Sequence, residues 1–190
     1  KVVNFDNGSH LWFGSCRSEE DIRAYLGGSY LYVGIDEVSE WTYFMWESLK
    51  GCNRCPIKFD IHGNPVITKL CGFTNPGGIG HQFLKNLFLD GKPAPGMHAS
   101  TYVREDHQFG KSLVFDNATY ATDEAYMAKL HSLSPTMRAM YRDGDWNIFA
   151  GQYFGCFSPA RSVITEDESV QLRASQQWQP HWVSIDWGFH

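Results

Sequence analysis

No apolar run in the 190-residue chain approaches the ~20 residues needed to span a bilayer, so no membrane-crossing helix is expected. The longest apolar stretches, such as Tyr30 to Ile35, are of strand length and are interrupted by glycine. Charge is sparse and of neither sign in great excess: 16 Lys and Arg face 21 Asp and Glu, a formal charge of −5. That argues against a dedicated electrostatic DNA-binding domain, while leaving room for an enzyme that meets DNA through a local basic patch. Five cysteines are too few and odd in number for a disulfide framework, and a reducing, cytosolic setting fits better. Internal repeats and low-complexity tracts are lacking. Residues 1–6 lack the apolar segment of a signal peptide, and with no initiator Met the chain is expected to be cut from something longer. What is present is 43% hydrophobic and 15% aromatic residues, enough for a packed core and too many for a mostly disordered chain.

The pattern of elements alternates. Leu11 to Phe13 reads as a short strand after an Asn7-Gly8-Ser9 turn. Ser18 caps a helix over 19–26 with an acidic first turn, stopped by Gly27-Gly28. Tyr30 to Ile35 reads as a buried strand ending in Asp36-Glu37. A helix over 40–50 follows, with Trp41, Phe44, Met45 and Leu49 on one face. Residues 51–65 read as a loop or small hairpin, and Val66 to Phe73 as the next strand, running into Thr74-Asn75-Pro76-Gly77-Gly78. Further helices are expected over 80–89, 123–132 and 135–142, the last with Pro135 in its first turn, and a strand over Thr101 to Val103. Residues 158–180 are polar and read as a linker, and Trp182 to Asp186 as a new strand. Such alternation predicts an α/β fold with a largely parallel sheet, whose ligands gather at the carboxyl ends of the strands. Asp36-Glu37, Thr74-Asn75 and Asp186 all sit at such ends.

Those ends carry the chemistry. In a nucleoside triphosphatase, an Asp at the end of an apolar strand holds the Mg²⁺ shell, because a hard cation takes oxygen ligands. The Glu beside it orients the attacking water. Taken alone, an acid pair there starts a loop or caps a helix at least as often. Thr74-Asn75 on a neighbouring strand suits sensing of a γ-phosphate, although Asn-Pro-Gly-Gly is by itself a strong turn sequence. Gly110-Lys111-Ser112 imitates the end of a phosphate-binding loop, but the required Gly is replaced by Glu105. Gly78-Ile79-Gly80 imitates a dinucleotide loop, but its third position is Phe83. Cys52, Cys55, His62 and Cys71 could form a Cys₃His zinc site, yet the spacing is irregular and Cys71 falls inside a strand, so a hairpin with free thiols is favoured. Cys16 and Cys156 read as isolated core thiols.

Four stretches together resemble the large terminase subunit of tailed bacteriophages. Residues 31–37, Leu-Tyr-Val-Gly-Ile-Asp-Glu, are similar to its Walker B strand. Residues 74–81, Thr-Asn-Pro-Gly-Gly-Ile-Gly-His, are similar to the segment holding its coupling motif. Residues 143–154, beginning Asp-Gly-Asp-Trp, resemble the stretch that closes its ATPase region, and Ser184 to Phe189 resemble the first strand of its nuclease. Phe115-Asp116-Asn117-Ala118 sits where that family has a similar turn before two helices.

The resemblance implies a P-loop NTPase-like sheet with flanking helices over 1–157, a linker over 158–180 and the start of an RNase-H-like nuclease over 181–190. The family's Walker A loop and its nearby arginine, and the remaining nuclease acids, would then lie in other parts of a longer parent. Asp36 would bind Mg²⁺ and Glu37 would be the catalytic carboxylate in ATP hydrolysis. Thr74 and Asn75 would couple γ-phosphate loss to movement, and Asp186 would ligate Mg²⁺ or Mn²⁺ in the nuclease. The implied parent is an ATPase and endonuclease of the infected bacterial cytoplasm. It would form a homo-oligomeric ring on a procapsid, driving double-stranded DNA through a portal protein, aided by a small terminase subunit and with no membrane partner. Rival readings are another P-loop motor, such as a RecA-like helicase, and a non-enzymatic binding module stabilised by zinc.

Overall fold

A computed structural model of the protein describes residues 1–148 and 164–175. The chain divides into two units, Lys1–Gly151 and Gln152–His190. In the first, strands β1 (Val2–Asn4) and β2 (His10–Trp12) pair antiparallel. The turn between them is closed by Asn7, whose Oδ1 accepts from Ser9 N–H at 3.0 Å. The expected helix over 19–26 is instead a short 3-10 helix at Asp21–Ala24. Asp21 turns its carboxylate back to the N–H groups of Arg17 and Ser18, and only Ile22 is buried.

Strands β3 (Tyr32–Asp36) and β4 (Lys69–Phe73) pair in parallel, with Asp36 opposite Phe73. Among the described residues this pair is the whole of the parallel sheet, so the expected larger sheet reduces to mixed helix and strand around small sheets. Nor is β3 buried throughout. Ile35 is buried and Val33 half-buried on the inner face, whereas Tyr32 (65%) and Phe73 (63%) stay exposed on the outer one. The starts of both strands are pinned by Asn53, whose Nδ2 lies 3.0 to 3.2 Å from the carbonyls of Tyr30, Leu31 and Lys69.

Helix α1 (Tyr43–Cys52) is capped by Thr42, whose Oγ1 accepts from Met45 N–H and donates to Glu19 at 2.6 Å. Its buried face is Met45, Trp46, Leu49 and Cys52; Phe44 points outward, one position off the expected stripe. After β4, helix α2 (His81–Leu84) runs directly into a π-helical turn, Lys85–Asp90. Phe83, Leu84 and Leu87 from this segment join the core with Ile35, Val38, Trp41 and the α1 face. No strand forms at 101–103. Tyr102 instead donates its hydroxyl to Leu87 O at 3.0 Å, and Arg104 reaches Phe88 O at 3.2 Å, closing the π-turn. Helices α3 (Glu124–Ser132) and α4 (Pro135–Tyr141) form as expected, with Asp123 and Ser134 as N-caps.

The second unit carries helix α5 (Glu166–Ser175) inside the stretch read as a linker. Thr165 and Glu168 cap it reciprocally: Glu168 N–H donates to Thr165 Oγ1, and Thr165 N–H to Glu168 Oε2. Among the described residues no helix is long and apolar enough to cross a membrane. Asp186, Cys156 and the expected strand at 182–186 lie outside the described residues.

Candidate functional site

Parallel pairing in register brings the ends of β3 and β4 side by side, and with them Asp36-Glu37 and Thr74-Asn75. Asp36, Glu37 and Asn75 are exposed, and Thr74 is half-buried. Glu37 adopts a left-handed conformation, φ 50° and ψ 48°, the one non-glycine residue with positive φ among those described. Such a conformation costs an L-residue roughly 1–2 kcal/mol, and strain of this kind gathers at functional sites. Two contacts hold it. Glu40 N–H donates to Glu37 O at 2.9 Å, and Thr74 Oγ1 lies 3.3 Å from Glu37 Oε2.

Thr74 is the hub of the site. Its Oγ1 lies 2.6 Å from Ser39 Oγ and 3.1 Å from Asn75 O, and it accepts from Ser39 N–H at 3.3 Å. A hydroxyl has one proton to give. When Ser39 Oγ–H donates to Thr74, the Thr74 proton is released for Glu37; when Thr74 donates to Ser39, the carboxylate loses that partner. Ser39 is buried in the short 3-10 turn Val38–Glu40, whereas the Glu37 carboxylate at the other side of Thr74 is exposed. Nothing in the sequence argument singled out Ser39. The available signal was a small polar residue standing between Val38 and Trp41, both core positions.

The loop after Thr74 is built against the same turn. Gly80 N–H donates to Ser39 O at 2.7 Å. A Cβ on Gly78 would stand 2.4 Å from Ser39 O, and one on Gly80 would stand 2.5 Å from Trp41 O. Gly78-Ile79-Gly80 is therefore a close-packing device. The loop is tied down at its far end by His81. Gly77 N–H donates to His81 Nδ1 at 3.0 Å, which leaves Nε2 to donate to Trp146 O at 3.1 Å, and the two rings stack at 5.1 Å. The buried Trp146 of the Asp143-Gly144-Asp145-Trp146 stretch thus reaches the loop that carries Thr74 and Asn75.

Burial pushes the His81 pKa below the ordinary histidine value, the Trp146 carbonyl opposes the shift, and Lys85 adds to it. The folded state then binds fewer protons than the unfolded chain as pH falls through about 6.5. The contribution of His81 is complete above that value and declines below it, by at most about 1.4 kcal/mol per pH unit. Thermal unfolding followed between pH 7.5 and 5.5 is expected to show a falling Tm that flattens in His81→Gln. An equal slope in the variant would remove His81 from this role.

The zinc reading is not carried by the structure. Cys52 is buried on α1 while Cys71 is exposed on β4, and among the described residues no group of three or more His, Cys, Asp or Glu side chains could hold a metal ion. No protein-family model matches the chain, and neither a curated protein nor a solved structure matches it.

Proposed function

We propose that this chain is part of a DNA-packaging motor of the large-terminase type, contributing the hydrolytic edge of an ATPase and the first strand of a nuclease. The observation that carries the reading is the Thr74–Glu37 contact across the carboxyl ends of two parallel strands. It joins an acid pair suited to Mg²⁺ and water with an uncharged hydroxyl suited to a γ-phosphate. Asp36 is an exposed oxygen donor at a fixed strand end, which fits a hard cation. Mg²⁺ bound there would neutralise phosphate charge; Glu37 would orient water; Thr74 and Asn75 would register the loss of the γ-phosphate. His81 and Trp146 would carry that signal away from the site. In this reading the partners are double-stranded DNA, a portal protein, a small terminase subunit and further copies in a ring, within an infected bacterial cell.

Two tests bear directly on it. The 190-residue chain contains no Gly-x₄-Gly-Lys-Ser/Thr loop. Without that backbone cradle, the isolated chain is expected to release phosphate from ATP no faster than its Glu37→Gln variant, and clear turnover above that control would contradict the assignment. In the full-length parent, Asp186→Ala is expected to abolish plasmid cleavage with Mg²⁺ or Mn²⁺, because two-metal nucleases depend on each carboxylate ligand. ATP hydrolysis on the same preparation should persist. Retained cleavage would defeat the nuclease assignment.

A further inference from the structure

Between α1 and β4 the chain makes a short ribbon. Val66 N–H donates to Lys58 O, Asp60 N–H donates to Asn64 O, and Phe59 bridges Pro65. Asp60 organises its tip. One carboxylate oxygen accepts from the N–H groups of His62 and Asn64, both at 2.8 Å, and the other from Asn64 Nδ2 at 3.0 Å. These bonds, the Asn64 side chain first, hold the Asp60 carboxyl below the usual range. The tip is therefore built by its own polar groups, and what it presents outward is apolar. Ile61 is 95% exposed, and Ile57, Phe59 and Ile67 are each about 60% exposed.

The charge of the ribbon runs opposite to that of the chain. The ribbon holds Arg54 and Lys58 against the single acid Asp60, and Lys50 near the end of α1 and Lys69 at the start of β4 flank it, in a protein where acids outnumber bases 21 to 16. All four cations are exposed, and among the described residues none pairs with a carboxylate. Arg54 Nε donates to Ser29 Oγ at 3.1 Å, which steadies the guanidinium beside the exposed isoleucines and Phe59.

We infer that this ribbon is a contact for duplex DNA, its cations on the phosphates and the Ile61 tip at the base steps. A two-stranded ribbon fits a DNA groove, cations along it replace condensed counterions, and apolar wedges insert between base pairs. The ribbon also lies in series with the candidate site, since its second leg leads into β4 and so into Thr74. The inference deepens the packing-motor reading and rests on it for choosing duplex DNA over an anionic bilayer, which the same composition could also meet.

Binding is measurable on the 190-residue chain without ATP, by anisotropy of a labelled duplex of about 30 base pairs. With four phosphate contacts, affinity should fall about 150-fold between roughly 50 and 200 mM salt. In Arg54→Ala/Lys58→Ala the same change of salt should cost only about 12-fold. Lys92→Ala/Lys129→Ala removes equal charge elsewhere and should keep the full salt dependence. Ile61→Ser should weaken binding at every salt concentration without altering the dependence. An unchanged salt dependence in the Arg54/Lys58 variant would overturn the inference, as would an equal loss in the Lys92/Lys129 control. So would unaltered affinity in Ile61→Ser. Binding to vesicles of phosphatidylcholine with about one-third phosphatidylserine, without binding to the duplex, would assign the ribbon to a membrane surface instead. None of these readouts depends on hydrolysis, so failure here is distinct from failure of the ATPase assignment.

Discussion

On the packing-motor reading, Glu37→Gln in the longer parent it implies is expected to lower ATP hydrolysis by about 10²–10⁴-fold while leaving ATP binding within a few-fold. The amide keeps the shape of the side chain and can still meet the Thr74 hydroxyl, but it cannot accept a proton from the attacking water. Asp36→Asn should differ in kind. It weakens an oxygen ligand for Mg²⁺, so Mg²⁺-dependent nucleotide binding should fall together with turnover. The pair of variants separates two roles at adjacent positions. The strained backbone sharpens the expectation: a residue at φ 50°, its carbonyl bonded by Glu40 N–H and its carboxylate 3.3 Å from the Thr74 hydroxyl, is placed beyond what local preference would select. Near-normal turnover in Glu37→Gln would leave the acid pair as the start of an ordinary loop. Hydrolysis and nucleotide binding measured on the same preparation decide between the two.

The carboxyl-end placement of Asp36-Glu37 and Thr74-Asn75 was legible from sequence because each follows a short apolar run, and parallel pairing puts the two ends together. The role of Ser39 was not. Ser39 meets Thr74 through its hydroxyl at 2.6 Å and its N–H at 3.3 Å, and contacts spanning 35 positions leave no periodic trace. Helices α3 and α4 were readable from their caps, since Asp123 and Ser134 each satisfy a first-turn N–H locally. The strand at Thr101 to Val103 failed for the converse reason. Among the described residues its β-forming residues have no neighbouring strand, and Tyr102 serves the π-turn carbonyl of Leu87 instead. Phe44 was misassigned because the buried face runs through Met45, Trp46, Leu49 and Cys52, in a helix that begins at Tyr43, three residues after the expected start.

Gly78→Ala is expected to be the most damaging small substitution near the site, destabilising the protein by about 2–5 kcal/mol. Two separable costs add there. At φ 71° an alanine pays left-handed strain of roughly 1–2 kcal/mol, and its Cβ would also stand 2.4 Å from the Ser39 carbonyl oxygen. Two other glycines isolate the terms. Gly63 has φ 81° with nothing within 4 Å of an added Cβ, so Gly63→Ala reports strain alone. Gly80 has φ −84° and would meet Trp41 O at 2.5 Å, so Gly80→Ala reports collision alone. For a unit of this size each kcal/mol corresponds to about 2–4 °C in Tm, which puts Gly63→Ala near 2–8 °C and Gly78→Ala at about 4–20 °C. On the packing-motor reading the substitution also reaches the chemistry. Displacing the Ser39 backbone moves the hydroxyl that shares a proton with Thr74, and with it the support of Glu37. In the parent, Gly78→Ala should therefore lose ATPase activity even at temperatures where it stays folded, whereas Gly63→Ala should keep it. Equal activity in the two variants would detach the loop after Thr74 from the hydrolytic edge.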